Sequence, residues 1–137
     1  IAYDVPPLRK NPVFLYTIDN FQRPNPFRPD IAIDISSVFE KKISALDAHE
    51  SQFYEWMPWI GHYENEVPEG KEARFKWLLS KYSGPMRADV RTSLAKWYGE
   101  ERAAKAKFAE AFEICEYGTQ PSEAEIRRLF PMLVKNP

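Results

Sequence analysis

Between Ile31 and Phe53 the spacing of apolar residues changes period, and the rest of the chain can be read outward from that change. Ile31, Ile33 and Ile35 alternate with Ala32 and Asp34, which predicts a half-buried strand. From Val38 onward the repeat lengthens. Phe39, Ile43, Leu46 and Phe53 fall on one stripe at roughly 100° per residue, which predicts a helix over 38–52. Ser37-Val-Phe-Glu40 has the spacing of a capping box and is expected to open that helix. His49 and Gln52 lie where the helix runs out, beside the apolar stripe.

Upstream, Val13-Phe-Leu-Tyr-Thr-Ile18 is an apolar, β-prone run of strand length. A proline-rich loop separates it from Ile31–Ile35 and is too long for a tight hairpin. Downstream, Phe53 to Gly61 is an aromatic run broken by Pro58, followed by a polar loop from His62 to Gly70. Helical spacing returns at 71–82 through Phe75, Leu78, Leu79 and Tyr82. A further helix is predicted at 86–98 through Met86, Val90, Leu94 and Trp97, with Pro85 set for its first turn and Gly99 past its end. Ala104, Phe108, Ala111, Phe112 and Cys115 predict a fourth helix at 101–117. Ser122-Glu-Ala-Glu125 is a second capping box, opening a helix at 122–130 that Pro131 stops. The expected fold class is mainly α, about five helices, with a short two-stranded β element near the N-terminus. No repeat or domain boundary stands out along residues 1–137, and the chain reads as a single domain.

Composition narrows the functional classes. An apolar content of 44% and an aromatic content of 15% argue for a packed core rather than disorder. A net charge of −1 gives no electrostatic case for nucleic acid or for an anionic membrane. No apolar run approaches the ~20 residues that span a bilayer, and no signal peptide is expected. The chain opens at Ile1 without Met, and the expectation is excision from a longer precursor.

Chemistry-bearing residues are few. His49 and Gln52 either line a polar pocket or order the helix end through backbone hydrogen bonds. Zinc needs about three converging ligands. The two histidines, His49 and His62, stand 13 apart, with His62-Tyr-Glu64 as the nearest His–carboxylate pair, so no metal site is expected in this chain. Cys115 lies between Glu113 and Glu116, which disfavour a thiolate, and it reads as a core residue. Phe53, Tyr54, Trp56, Trp59 and Tyr63 form a core, or else a docking surface if they are exposed.

Two blocks resemble a known family. Ile33-Asp-Ile35, Lys42, Ala45-Leu46 and Ala48-His-Glu-Ser-Gln52 look like the D-I…K…A-L…H-x-S-Q signature of the PIG-L/LmbE-like metal-dependent de-N-acetylases. Phe108-Ala-Glu-Ala-Phe-Glu-Ile-Cys-Glu-Tyr-Gly118 resembles the A-E-A-F segment late in that family. The family's metal signatures, His-Pro-Asp-Asp and His-x-x-His, do not occur in these 137 residues. The resemblance therefore implies the C-terminal segment of a larger α/β domain. It would complete the pocket of an amide hydrolase acting on N-acetylated sugar conjugates, and its partner would be the upstream half of the parent. Zinc and the catalytic residues are implied for that upstream half, with no cofactor in this chain. His49, Gln52 and Glu110 are implied as residues that line or brace the pocket. Apart from any family, Glu110 also reads as a helix carboxylate paired with Lys105 or Lys107. The competing expectation is a non-enzymatic helical interaction module that docks through the Phe53–Tyr63 aromatic run.

Overall fold

A computed structural model describes residues 4–7 and 9–133. The fold is mainly α with a small sheet. In chain order the elements are β1 (Leu15–Thr17), β2 (Ile31–Asp34), α1 (Phe39–Asp47), a π-helical turn (Ser51–Trp56), α2 (Met57–Gly61), a 3-10 turn (Glu64–Glu66), α3 (Lys71–Tyr82), α4 (Ala88–Tyr98), α5 (Glu100–Lys105), β3 (Ala109–Ile114) and α6 (Glu123–Leu129). They form two compact units. One holds residues 1–33, 88–105 and 109–137, and the other holds 34–87 and 106–108. The chain enters and leaves the second unit twice, so no linear boundary marks it in the sequence.

In the first unit β3 is the central strand and the sheet order is β1-β3-β2. β1 runs antiparallel to β3 with Leu15 opposite Ile114, Tyr16 opposite Glu113 and Thr17 opposite Phe112. The expected helix at 101–117 is thus corrected. It stops at Lys105, and Ala109–Ile114 is extended. Alanine, lysine and glutamate are good helix formers, but the preference is worth only a few tenths of a kcal/mol per residue and tertiary context overrides it. A segment flanked by two strands with unsatisfied amides gains a backbone ladder on both sides by extending. Pleating then sends Ala111 and Cys115 to a buried face and Glu110, Phe112 and Ile114 to the other. α4 and α5 pack on each other across Gly99, whose φ of 89° is one that a residue with a Cβ adopts only with strain. Trp97, 1% exposed, donates its indole N–H to the Asp30 carbonyl at 2.8 Å and so ties α4 to the start of β2. α6 opens with the Ser122–Glu125 capping box expected for it, both reciprocal bonds formed.

The second unit is built on Phe39, Ile43, Tyr54 and Leu78, all buried. Leu46, Phe53, Phe75 and Phe108 are among the half-buried residues around them. α1 and α3 pack together, and α3 spans the predicted residues. The helix expected over 38–52 ends earlier, at Asp47, and the chain turns at Ala48–His49 before coiling again. The Ser37 cap does not form; Val38 occupies the cap position with no side-chain bond. Ser37 falls inside a turn closed by the Val38 N–H on the Ile35 carbonyl at 2.9 Å, which leaves it out of cap geometry. Residues 51–61, expected to be broken by Pro58, are helical throughout. Met57 bonds five residues back to Gln52, a wider turn that accommodates the missing N–H and the ring of Pro58 in the first turn of α2.

Candidate functional site

The turn at Ala48–His49 decides what the second unit presents. His49 uses its backbone to close the end of α1, donating to Leu46 at 2.9 Å, and accepts from Gln52 and Phe53 at 3.0 and 3.1 Å. Its imidazole is exposed, as is the Gln52 side chain. One helical turn further on, Trp56 and Trp59 are exposed by 51% and 64%. Ser51, Gln52, Glu55, Trp56, Trp59 and Glu64 line a shallow cleft of about 570 Å³. The arrangement offers a carboxamide, two carboxylates and two indole faces, which can hold a polar ligand that also carries an apolar face.

Beneath that surface the aromatic run is sorted by helical phase. Tyr54 is buried and its phenol donates to Asp47. Burial, and then the Asp47 carboxylate, push the Tyr54 phenol well above its ordinary pKa. Arg74 lies over the Tyr54 ring at 5.3 Å. Tyr63 and Trp77 flank the Lys81 ammonium at 4.7 and 5.3 Å, and Lys81 Nζ donates to the Glu66 carboxylate at 2.6 Å. The expected aromatic patch therefore divides, with Tyr54 in the core and Trp56 and Trp59 outside.

The residues behind α1 form a polar knot. Ser36 Oγ donates to Asp34 Oδ1 at 2.6 Å and accepts from the Lys107 and Phe108 amides at 2.9 and 3.2 Å. The Ile35 amide donates to the Phe108 carbonyl at 3.0 Å. The Phe39 and Phe108 rings stack with centroids 3.6 Å apart at 7°. Sequence reading passed over Ser36; the Asp-x-Ser spacing at 34–36 was the signal, since aspartate readily bonds the backbone two residues on. Asp34 Oδ1 does accept the Ser36 N–H at 3.0 Å.

Glu110 belongs to the first unit, half-buried on β3 rather than on a helix, so it does not share an element with His49 and Gln52. Its unit carries a second polar cluster. Asp30 accepts from Arg28 Nε at 2.6 Å and from the Ile114 amide at 2.9 Å. Burial works to raise the Asp30 pKa, but the Arg28 and Ile114 bonds outweigh it and hold the carboxyl below its ordinary range. Cys115 is buried with its Sγ 3.1 Å from the Tyr16 hydroxyl, as a packed cysteine. His62 sits exposed in the left-handed region, φ 56°. Among the described residues no three His, Cys, Asp or Glu side chains converge as metal ligands. Among the same residues no helix is long and apolar enough to cross a membrane. No protein-family model, curated protein or solved structure matches the chain.

Proposed function

We propose that this chain is the structural, pocket-completing C-terminal segment of a LmbE-like, PIG-L-like de-N-acetylase acting on N-acetylated sugar conjugates, and that it is not catalytic alone. The observation that carries this reading is the knot around Ser36. The two blocks that resemble the family lie about 70 positions apart, yet Ile35 of the first bonds Phe108 of the second, and Ser36 and Phe39, which adjoin the first block, also hold Phe108 by a hydrogen bond and a ring stack. Ile35 and Phe108 thus brace the base of α1, and His49 and Gln52 follow the turn beyond its far end. Both side chains are exposed, and Gln52 shares a cleft with the two indoles, so they are free to approach a substrate bound by the upstream half. The metal and the water-activating base belong to that half; this chain contributes shape and hydrogen bonding.

The test is acetate release from an N-acetylglucosamine conjugate by the protein that joins this chain to its upstream half. The isolated chain is expected to be inactive, and His49→Ala in the joined protein should lower kcat/KM by roughly 10–100-fold with the fold intact. A normally folded variant with full activity removes His49 from the pocket. The exposure of Trp56 and Trp59 favours a second reading, a helical interaction module that docks through them. A reading frame upstream of Ile1 without a His-Pro-Asp-Asp motif would favour it over the hydrolase.

A further inference from the structure

The first unit carries a feature that the hydrolase reading does not use. β1 is an edge strand. The Cys115 amide donates to the Phe14 carbonyl at 3.0 Å, and the register pairs Leu15 with Ile114 and Thr17 with Phe112. In an antiparallel ladder, paired residues alternate between facing the partner strand and facing away. Phe14 and Tyr16 therefore spend their backbone groups on β3, while Leu15 and Thr17 point theirs outward. Among the described residues no hydrogen bond meets those outward groups.

Beside this edge lies a cavity of about 520 Å³ whose apolar wall is Pro12, Val13, Leu15, Leu129 and Phe130. Of the sheet only β1 lines it, and its other wall is α6 with Thr119, so it lies over the face of β1 and is bordered by the open edge. Val13 and Leu15 share one face of the strand and open into it. Lys10 and Arg128 stand at the rim, and neither forms an ion pair among the described residues. The one acid there, Glu125, accepts from the amide and hydroxyl of Ser122 and keeps its charge within electrostatic reach of both cations. Two cations against one engaged carboxylate leave the rim positive.

We propose that the open edge of β1 is a docking strand for an extended, acidic segment of a partner protein. Unmet amides and carbonyls at every second residue are satisfied by another strand. The cavity beside Val13 and Leu15 takes an apolar side chain of that strand. Carboxylates two residues to either side of it lie on the same face and reach Lys10 and Arg128. The partner is thus recognised by an acidic–apolar–acidic pattern at alternate positions. The proposal stands independently of any deacetylase activity.

The probe is a capped heptapeptide, Thr-Glu-Thr-Val-Thr-Glu-Thr, whose valine and two glutamates share a face when extended, against its counterpart with lysine for glutamate. In ¹⁵N spectra of the whole chain, the acidic peptide should slow amide exchange at Leu15 and Thr17 at least tenfold and leave Phe14 and Tyr16 unchanged. It should bind at least tenfold more tightly than the lysine peptide and weaken with salt. Arg128→Glu should erase that preference. Thr17→Pro removes an outward donor without touching the β3 ladder, and it should abolish binding with an unchanged circular dichroism spectrum. Equal binding of the two peptides, or exchange at Leu15 and Thr17 unmoved by either, overturns the proposal. Concentration-dependent dimerisation that protects Leu15 and Thr17 without peptide also overturns it, because a second copy would then own the edge.

Discussion

Replacing Ser36 with alanine tests the knot on which the second unit turns. The substitution removes one donor, to Asp34 Oδ1, and one acceptor shared by the Lys107 and Phe108 amides. The Lys107 amide is on the exposed side and finds water, so its loss costs little. The Phe108 amide is part-buried, and leaving such a donor unmet costs about 1 kcal/mol, the low end for a buried group. Asp34 keeps the Ser36 backbone N–H but loses a hydrogen bond to a charged acceptor, about 1–2 kcal/mol. The sum is a destabilisation of about 2–3 kcal/mol, and an m-value of about 2 kcal/mol/M converts it to a urea midpoint lower by about 1–1.5 M. Tryptophan fluorescence against urea is the assay. The neighbouring variant Ser37→Ala is the control. Its hydroxyl caps nothing, so its stability should stay within about 0.5 kcal/mol of wild type, as for surface changes generally. If the two serines behave alike, or if Ser37 proves the costlier, the hydroxyl network around Ser36 does not hold the unit together.

Phe39→Ala should cost about 3–5 kcal/mol, because the ring is buried and stacked on Phe108, whereas Phe112→Ala, half-buried against Phe130, should cost clearly less; reversal of that order in denaturant melts would move the core. Asp30 is held below its ordinary range when folded, so the unfolded chain binds its proton more readily. Its contribution is present above the unfolded pKa of about 3.9 and is lost as pH falls through the folded value. Asp30→Asn should therefore lower stability at neutral pH and flatten its decline toward acid, and an unaltered pH profile would contradict this.

The parts of the fold that could be read along the chain are those governed by local rules. The stripe of Phe39, Ile43, Leu46 and Phe53, the whole of α3, and the cap at Ser122 all follow from periodicity and neighbouring side chains. What escaped was set at a distance. Ala109–Ile114 has a helix-like composition and became a strand because β1 and β2 wait on either side of it. The Ser37 cap failed because the turn at Ile35–Val38 fixed the backbone first. Pro58 was read as a break, though the first turn of a helix tolerates it. At the candidate site, His49 and Gln52 were visible as polar residues at the end of an apolar stripe. Glu110 carried the wrong secondary structure with it, and the divided fate of Tyr54 and Trp56 depended on a helical phase hidden by the proline.

The central strand arrives late. Tyr16 and Cys115, which touch across the β1–β3 pair, are 99 positions apart in the chain, and closing so long a loop is a slow step in which much of the chain must first be searched. On a ribosome working from the N-terminus, both outer strands emerge and remain unpaired until Ile114 has been made. The residues of the second unit, 34–87, lack only Ala106–Phe108 at that stage and can organise around Phe39 and Leu78 in the meantime. The order expected from these separations is a helical nucleus first and closure of the sheet afterwards. A chain cut after Phe108 would keep the first and forfeit the second, with two bare strand edges in its place.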